Sequence, residues 1–113
     1  MGGVNREWLF RELRQSLGLL AADGDTALAG VPAGCYKPDE LALDFDNFRS
    51  AVVGNFADEL PPELVAALAR VDEELGTLRG ADWSDESVRS APVWAPVRER
   101  AGVALGLLDR YES

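Results

Sequence analysis

The sequence has no histidine, one cysteine and one lysine. Without histidine there is no Ser-His-Asp triad and no Cys-His dyad, and the commonest metal ligand is missing. A lone Cys35 excludes an intrachain disulfide and fits a reducing compartment, which makes the cytoplasm the expected location. No apolar run approaches the roughly 18 residues that cross a bilayer. The opening Met1-Gly2-Gly3-Val4-Asn5-Arg6 lacks the basic-then-apolar order of a signal peptide. Ala29-Gly30-Val31-Pro32-Ala33-Gly34 is not followed by the Lys-Ser/Thr of a phosphate-binding loop. Arg98 and Arg100 beside Glu99 are too few for a nucleic-acid patch. Neither nucleic acid nor membrane is therefore an expected partner.

Acid is in excess. The formal net charge is −9 over 113 residues, and its placement is uneven. Between Lys37 and Glu86 there are four basic and thirteen acidic residues, so this stretch carries the whole excess. The flanks hold seven of each sign and cancel. The field of such a middle repels polyanions and attracts a basic protein surface or a cation. It also keeps the chain soluble, which needs no partner.

The apolar residues fall at helical spacing. Asn5 is placed to cap a first helix with Leu9, Phe10, Leu13, Leu17 and Leu20 on one face, stopped by Asp23-Gly24-Asp25. Residues 23–38 read as one long irregular connection, with room for a single turn at Thr26 to Ala29. A second helix starts at Pro38-Asp39-Glu40 and carries Leu41, Phe45, Phe48, Val52 and Phe56. A third follows Pro61-Pro62, with Leu64, Leu68, Val71, Leu75 and Leu78 in a stripe and Gly80 as its stop. Ser84 is placed to cap a short turn, and a fourth helix begins near Pro92 with Trp94, Val97, Ala101, Leu105 and Leu108. No stretch alternates with period two. The expected fold is all-α: a single domain, residues 1–113, built as a bundle of about four amphipathic helices. The expected core comprises Phe45, Phe48, Leu68, Val71, Leu75, Val97 and Leu105. Trp8 and Trp94 are expected to close one end of the bundle, and Trp83 to pin residues 81–91 to it.

Few constellations carry chemistry. Cys35 has Lys37 nearby but no general base of the usual kind. Asp39, Glu40, Asp44 and Asp46 cluster in sequence, yet a helix sends Asp46 away from the Glu40/Asp44 face, and no calcium-loop glycine or distal glutamate follows. Asp72-Glu73-Glu74 reads as a solvated helix face. Leu43 is more informative. It lies opposite the apolar stripe of its helix, on the side of Asp39 and Asp46. An apolar residue framed by carboxylates suits an anchor for a basic partner.

The block Cys35-Tyr36-Lys37-Pro38-Asp39-Glu40-Leu41-Ala42-Leu43-Asp44-Phe45-Asp46-Asn47, with the later Trp94-Ala95-Pro96-Val97-Arg98, resembles small acidic uncharacterised actinobacterial proteins. In size and acidity the chain also resembles bacterial immunity proteins, which neutralise a toxin by binding it. The second resemblance lies in bulk properties and assigns no residue a role.

The expected function is a non-enzymatic, acidic, inhibitor- or immunity-like module without cofactor or metal. It would dock on a basic protein, such as a toxin, through Asp39, Leu43 and Asp46. Two alternatives remain open. One is a helical enzyme or ligand-binding bundle using Asp/Glu and Cys35 in a pocket between helices. The other is a regulatory or scaffold module that forms a helical oligomer.

Overall fold

The computed structural model describes residues 5–34 and 36–112. Cys35 and the first four residues lie outside them. The side chain of Asn5 accepts the Trp8 backbone N–H at 2.9 Å, and helix α1 runs from there over Arg6–Ala21. Asp23 does the same for Thr26 at 2.9 Å and starts a short helix, α2, over Gly24–Ala29. Helix α3 spans Lys37–Phe56 with Pro38 in its first turn. Helix α4 spans Pro62–Gly76, again with proline at its start, where the missing N–H costs nothing. A 3₁₀ turn over Gly80–Trp83 leads to Ser84, whose hydroxyl caps α5, Asp85–Ser90. A second 3₁₀ turn, Pro92–Trp94, leads into α6, Ala95–Glu112. The fold is all-α, and no strand occurs among the described residues.

The four longer helices make the bundle. Helix α1 packs along both α3 and α6, and α6 packs along α4. Helices α3 and α4, although consecutive, touch each other only sparsely. Three sides of the bundle are thus closed and the α3/α4 side is open. The core between them is continuous. Leu13 and Leu17 of α1 meet Phe45 and Val52 of α3, Leu64, Leu68 and Val71 of α4, and Val97, Ala101, Ala104 and Leu108 of α6. Each large aliphatic or aromatic side chain buried this way contributes roughly 1.5–3 kcal/mol relative to exposure.

Several expectations change. The connection 23–38 is not irregular throughout: α2 interrupts it, because Asp23 supplies a cap, and Lys37 and Pro38 already belong to α3. Helix α2 lies against α5 so closely that a methyl on Gly24 would meet the Arg89 Cα and the Val88 carbonyl oxygen at 2.5 Å each. The third helix ends at Gly76, short of Gly80. The Thr77 hydroxyl donates to the Glu74 carbonyl at 2.7 Å there, and Gly80 takes φ +51 inside the next turn. Phe48 and Leu105 are half-buried against the core, while the other five expected core residues are buried. Trp8 and Trp94 do not close one end together. The start of α1 meets the end of α6, where Arg6 donates to Tyr111, so the antiparallel pairing puts the two tryptophans at opposite ends. Trp8 stands 43% exposed, edge-on to Phe48 at 5.5 Å.

Candidate functional site

A groove of about 490 Å³ runs along the open α3/α4 side. Its α3 bank is Asp39, Ala42, Leu43 and Asp46, residues spaced three and four apart on one helical face. Its other bank is Asp72, Leu75 and Gly76 of α4, and Trp83 completes it. The floor is apolar. Every charged side chain among these lining residues is an aspartate. Leu43, 51% exposed, sits on it rather than standing alone on the surface.

Each wall has a local cause. The α3 stripe of Leu41, Phe45 and Val52 is buried, and that orientation turns Leu43 to the opposite, outer side. Trp83 is held by its neighbours. Gly80 lets the chain turn, the Asp82 carboxylate accepts the Arg79 backbone N–H at 2.9 Å, and the buried Trp94 donates its indole N–H to the Asp82 carbonyl at 2.7 Å. The two indoles then meet edge to face at 5.7 Å. Trp83 is therefore both a pin for residues 81–91, as expected, and a groove wall.

Arg49 links the two banks. Its Nη2 lies 3.7 Å from Asp46 Oδ1 and 3.8 Å from Asp72 Oδ2, both beyond hydrogen-bond length. Its Nε is buried without a partner. One guanidinium thus stands between two carboxylates without forming a hydrogen bond to either, and Asp39 lies farther along the same α3 bank. The groove keeps a net negative charge.

A second cluster of charged side chains lies outside the groove. Where α1 begins, α6 ends and α3 turns into α4, the Arg6 guanidinium donates to Glu59 Oε1 through Nε at 3.1 Å and Nη2 at 2.5 Å, and to the Tyr111 hydroxyl at 2.9 Å. Tyr111 donates in turn to the same Glu59 oxygen at 3.0 Å. The hydrogen bond from Arg6, and then that from Tyr111, holds the Glu59 carboxyl below its ordinary range. Loss of hydration, and then the bond to Glu59, pushes the Tyr111 phenol up. Asp23 is lowered by the Thr26 backbone N–H it caps. The Arg6 cluster ties helix ends together and Asp23 caps a helix, both through full hydrogen bonds.

Among the described residues, no three or more carboxylate or thiol side chains are placed together to hold a metal ion. No helix among them is long and apolar enough to cross a membrane. The alternative of an enzyme or ligand-binding bundle used Asp/Glu and Cys35, and Cys35 lies outside the described residues.

All three residues singled out in the sequence, Asp39, Leu43 and Asp46, line the groove. Asp72, Leu75 and Trp83 were read otherwise, as part of a solvated face, as core and as a structural pin, and Gly76 and Arg49 were given no role. A signal for the α4 bank was present. Asp46 and Asp72 lie thirteen residues either side of Glu59, and Leu43 and Leu75 sixteen. In an antiparallel helical hairpin folded about that point, equidistant residues face each other. No family model, no curated protein and no solved structure matches the chain.

Proposed function

We propose that this chain is a non-enzymatic protein-binding module of the inhibitor or immunity kind, acting in the cytoplasm, that docks on a basic protein such as a toxin through the α3/α4 groove. The observation that carries this reading is the groove itself: an apolar floor of Ala42, Leu43, Leu75 and Trp83 whose charged lining side chains are all aspartates. An apolar centre with a charged rim is how a protein interface separates affinity from steering. The carboxylates draw a basic surface in and disfavour acidic ones, and Leu43 supplies an anchor after docking.

The test needs a partner, found by pull-down from the native organism with mass spectrometry, and then binding kinetics at two salt concentrations. Reversing Asp39 and Asp46 to lysine is expected to slow association at least tenfold at low salt and to flatten its salt dependence, since rim charges act on encounter. Leu43→Ala is expected to speed dissociation while leaving association nearly unchanged. Unchanged rates for both variants, with folding intact, would place the interface elsewhere and leave the acidity as a matter of solubility.

A further inference from the structure

Resting on that reading, we infer that the groove receives a basic amphipathic helix, laid into the open α3/α4 side as the missing neighbour of these two helices. The shape of the side comes first. Each of α3 and α4 is closed along one flank, by α1 and by α6, and barely touches the other. The space they leave is bounded by two helices, and the natural filler of such a space is a third.

Chemistry narrows the occupant further. Asp39 and Asp46 stand on one bank seven residues apart, about 10 Å or two helical turns. Asp72 stands on the facing bank, and Leu43, Leu75 and Trp83 lie between. The complementary surface is an apolar stripe with cations along both edges. A helix presents that when apolar residues recur at three- and four-residue steps with lysine or arginine beside them. An extended segment does not, because alternate side chains would point away from the groove. An extended segment also needs partners for its backbone N–H and C=O groups, and the walls of this groove are helical along α3 and α4, with their backbone bonds already made. A helix arrives with its own satisfied. Arg49 leaves room for the incoming charge: it stands beyond hydrogen-bond distance of Asp46 and Asp72, so both still have lone pairs to offer.

Two synthetic peptides test this, each about fifteen residues long, roughly the length at which an isolated helix becomes marginal. Both consist of the same leucines, lysines and alanines. One places leucine at helical spacing with lysines at its edges, and the other alternates leucine and lysine. Affinity is read by calorimetry, peptide helicity by circular dichroism, and location by nuclear magnetic resonance at the Trp83 indole N–H and the Leu43 methyls. The helical-pattern peptide is expected to bind at least tenfold more tightly than the alternating one, to gain helicity, and to shift both probes. Asp39→Lys with Asp46→Lys and Asp72→Lys is expected to weaken it at least tenfold. Asp58→Lys with Glu73→Lys and Glu99→Lys changes the net charge equally, at exposed acids that do not line the groove, and is expected to change affinity less than twofold.

Equal binding of the two peptides, still sensitive to the groove aspartates, would overturn the helical occupant and leave the docking reading standing. Equal weakening by both triple variants, or no binding of either peptide, would overturn both. Sedimentation showing a dimer in which the Leu43 methyls are already protected would make a second copy the occupant, and would likewise overturn the inference.

Discussion

The α1–α6 side and the α3–α4 side of this bundle are built from similar materials, leucine-bearing helices with charged flanks, and they are finished differently. On the first, two arginines of α1 find opposite charges at hydrogen-bond distance. Arg6 meets Glu59 and Tyr111, and Arg14 meets both Asp109, at 2.9 Å, and Glu112. The Arg6 guanidinium also lies over the Phe10 ring at 4.4 Å, so the charge seals the apolar layer beneath it. On the second side, aspartate stands on both banks, a single arginine lies between them beyond hydrogen-bond distance, and the apolar floor is left open. A side closed by complementary charge has little to offer a partner. A side with like charges across an apolar floor is incomplete in isolation, and basic side chains would complete it.

The largest expected effect separates the two sides by stability. Leu68→Ala, in the closed core, is expected to cost on the order of 2–5 kcal/mol. Leu43→Ala, on the open side, is expected to cost less than about 0.5 kcal/mol, the usual size for a surface substitution. Urea denaturation of both variants measures the gap. Comparable losses would mean that Leu43 is covered in solution.

A smaller effect probes the closed side through pH. Glu59 has a folded-state pKa below its unfolded one, so its contribution to stability is present above the ordinary carboxylate range and is lost as pH falls through the folded value. Melting temperature is therefore expected to fall more steeply on acidification for the natural chain than for Glu59→Gln, which has no carboxylate there to protonate. Parallel profiles for the two would show that the Arg6 tie contributes nothing to folding. Tyr111 works in the other direction: its raised pKa gives stability that is present below its unfolded value and is lost as pH rises through the folded one.

A last, small effect on stability is expected at Arg49. Removing its charge by Arg49→Met is expected to change stability by less than about 1 kcal/mol, since the ion contacts are long and partly solvated. The same change is expected to tighten binding of a basic partner, because Asp46 and Asp72 lose their resident cation. Weaker binding would show instead that Arg49 holds the two aspartates in place.

Much of the fold was legible because it depends on local periodicity. The caps at Asn5 and Ser84, the proline starts of α3 and α4, and the leucine stripe of α4 all act within a turn or two of chain. Where reading the chain alone went astray, the deciding interaction was distant or subtle. Asp23 capped a helix inside what looked like a loop, and Trp8 and Trp94 went to opposite ends because of how α1 pairs with α6.

The sequence by itself determined that this chain is helical, where most of its helices begin, and that Leu43 with Asp39 and Asp46 would face away from the core. The 3.6-residue repeat and the net charge need no knowledge of what lies across the bundle. Only the tertiary structure decided that this outward face has an opposite bank. Asp72, Leu75 and Trp83 reach it by the antiparallel return of α4 and by the turn that Trp94 braces, and Arg49 spans it without closing it. Whether neighbouring helices zip together or stand apart depends on which charges meet across the gap. That is a property of pairs of residues far apart in the chain, which no single helical stripe displays.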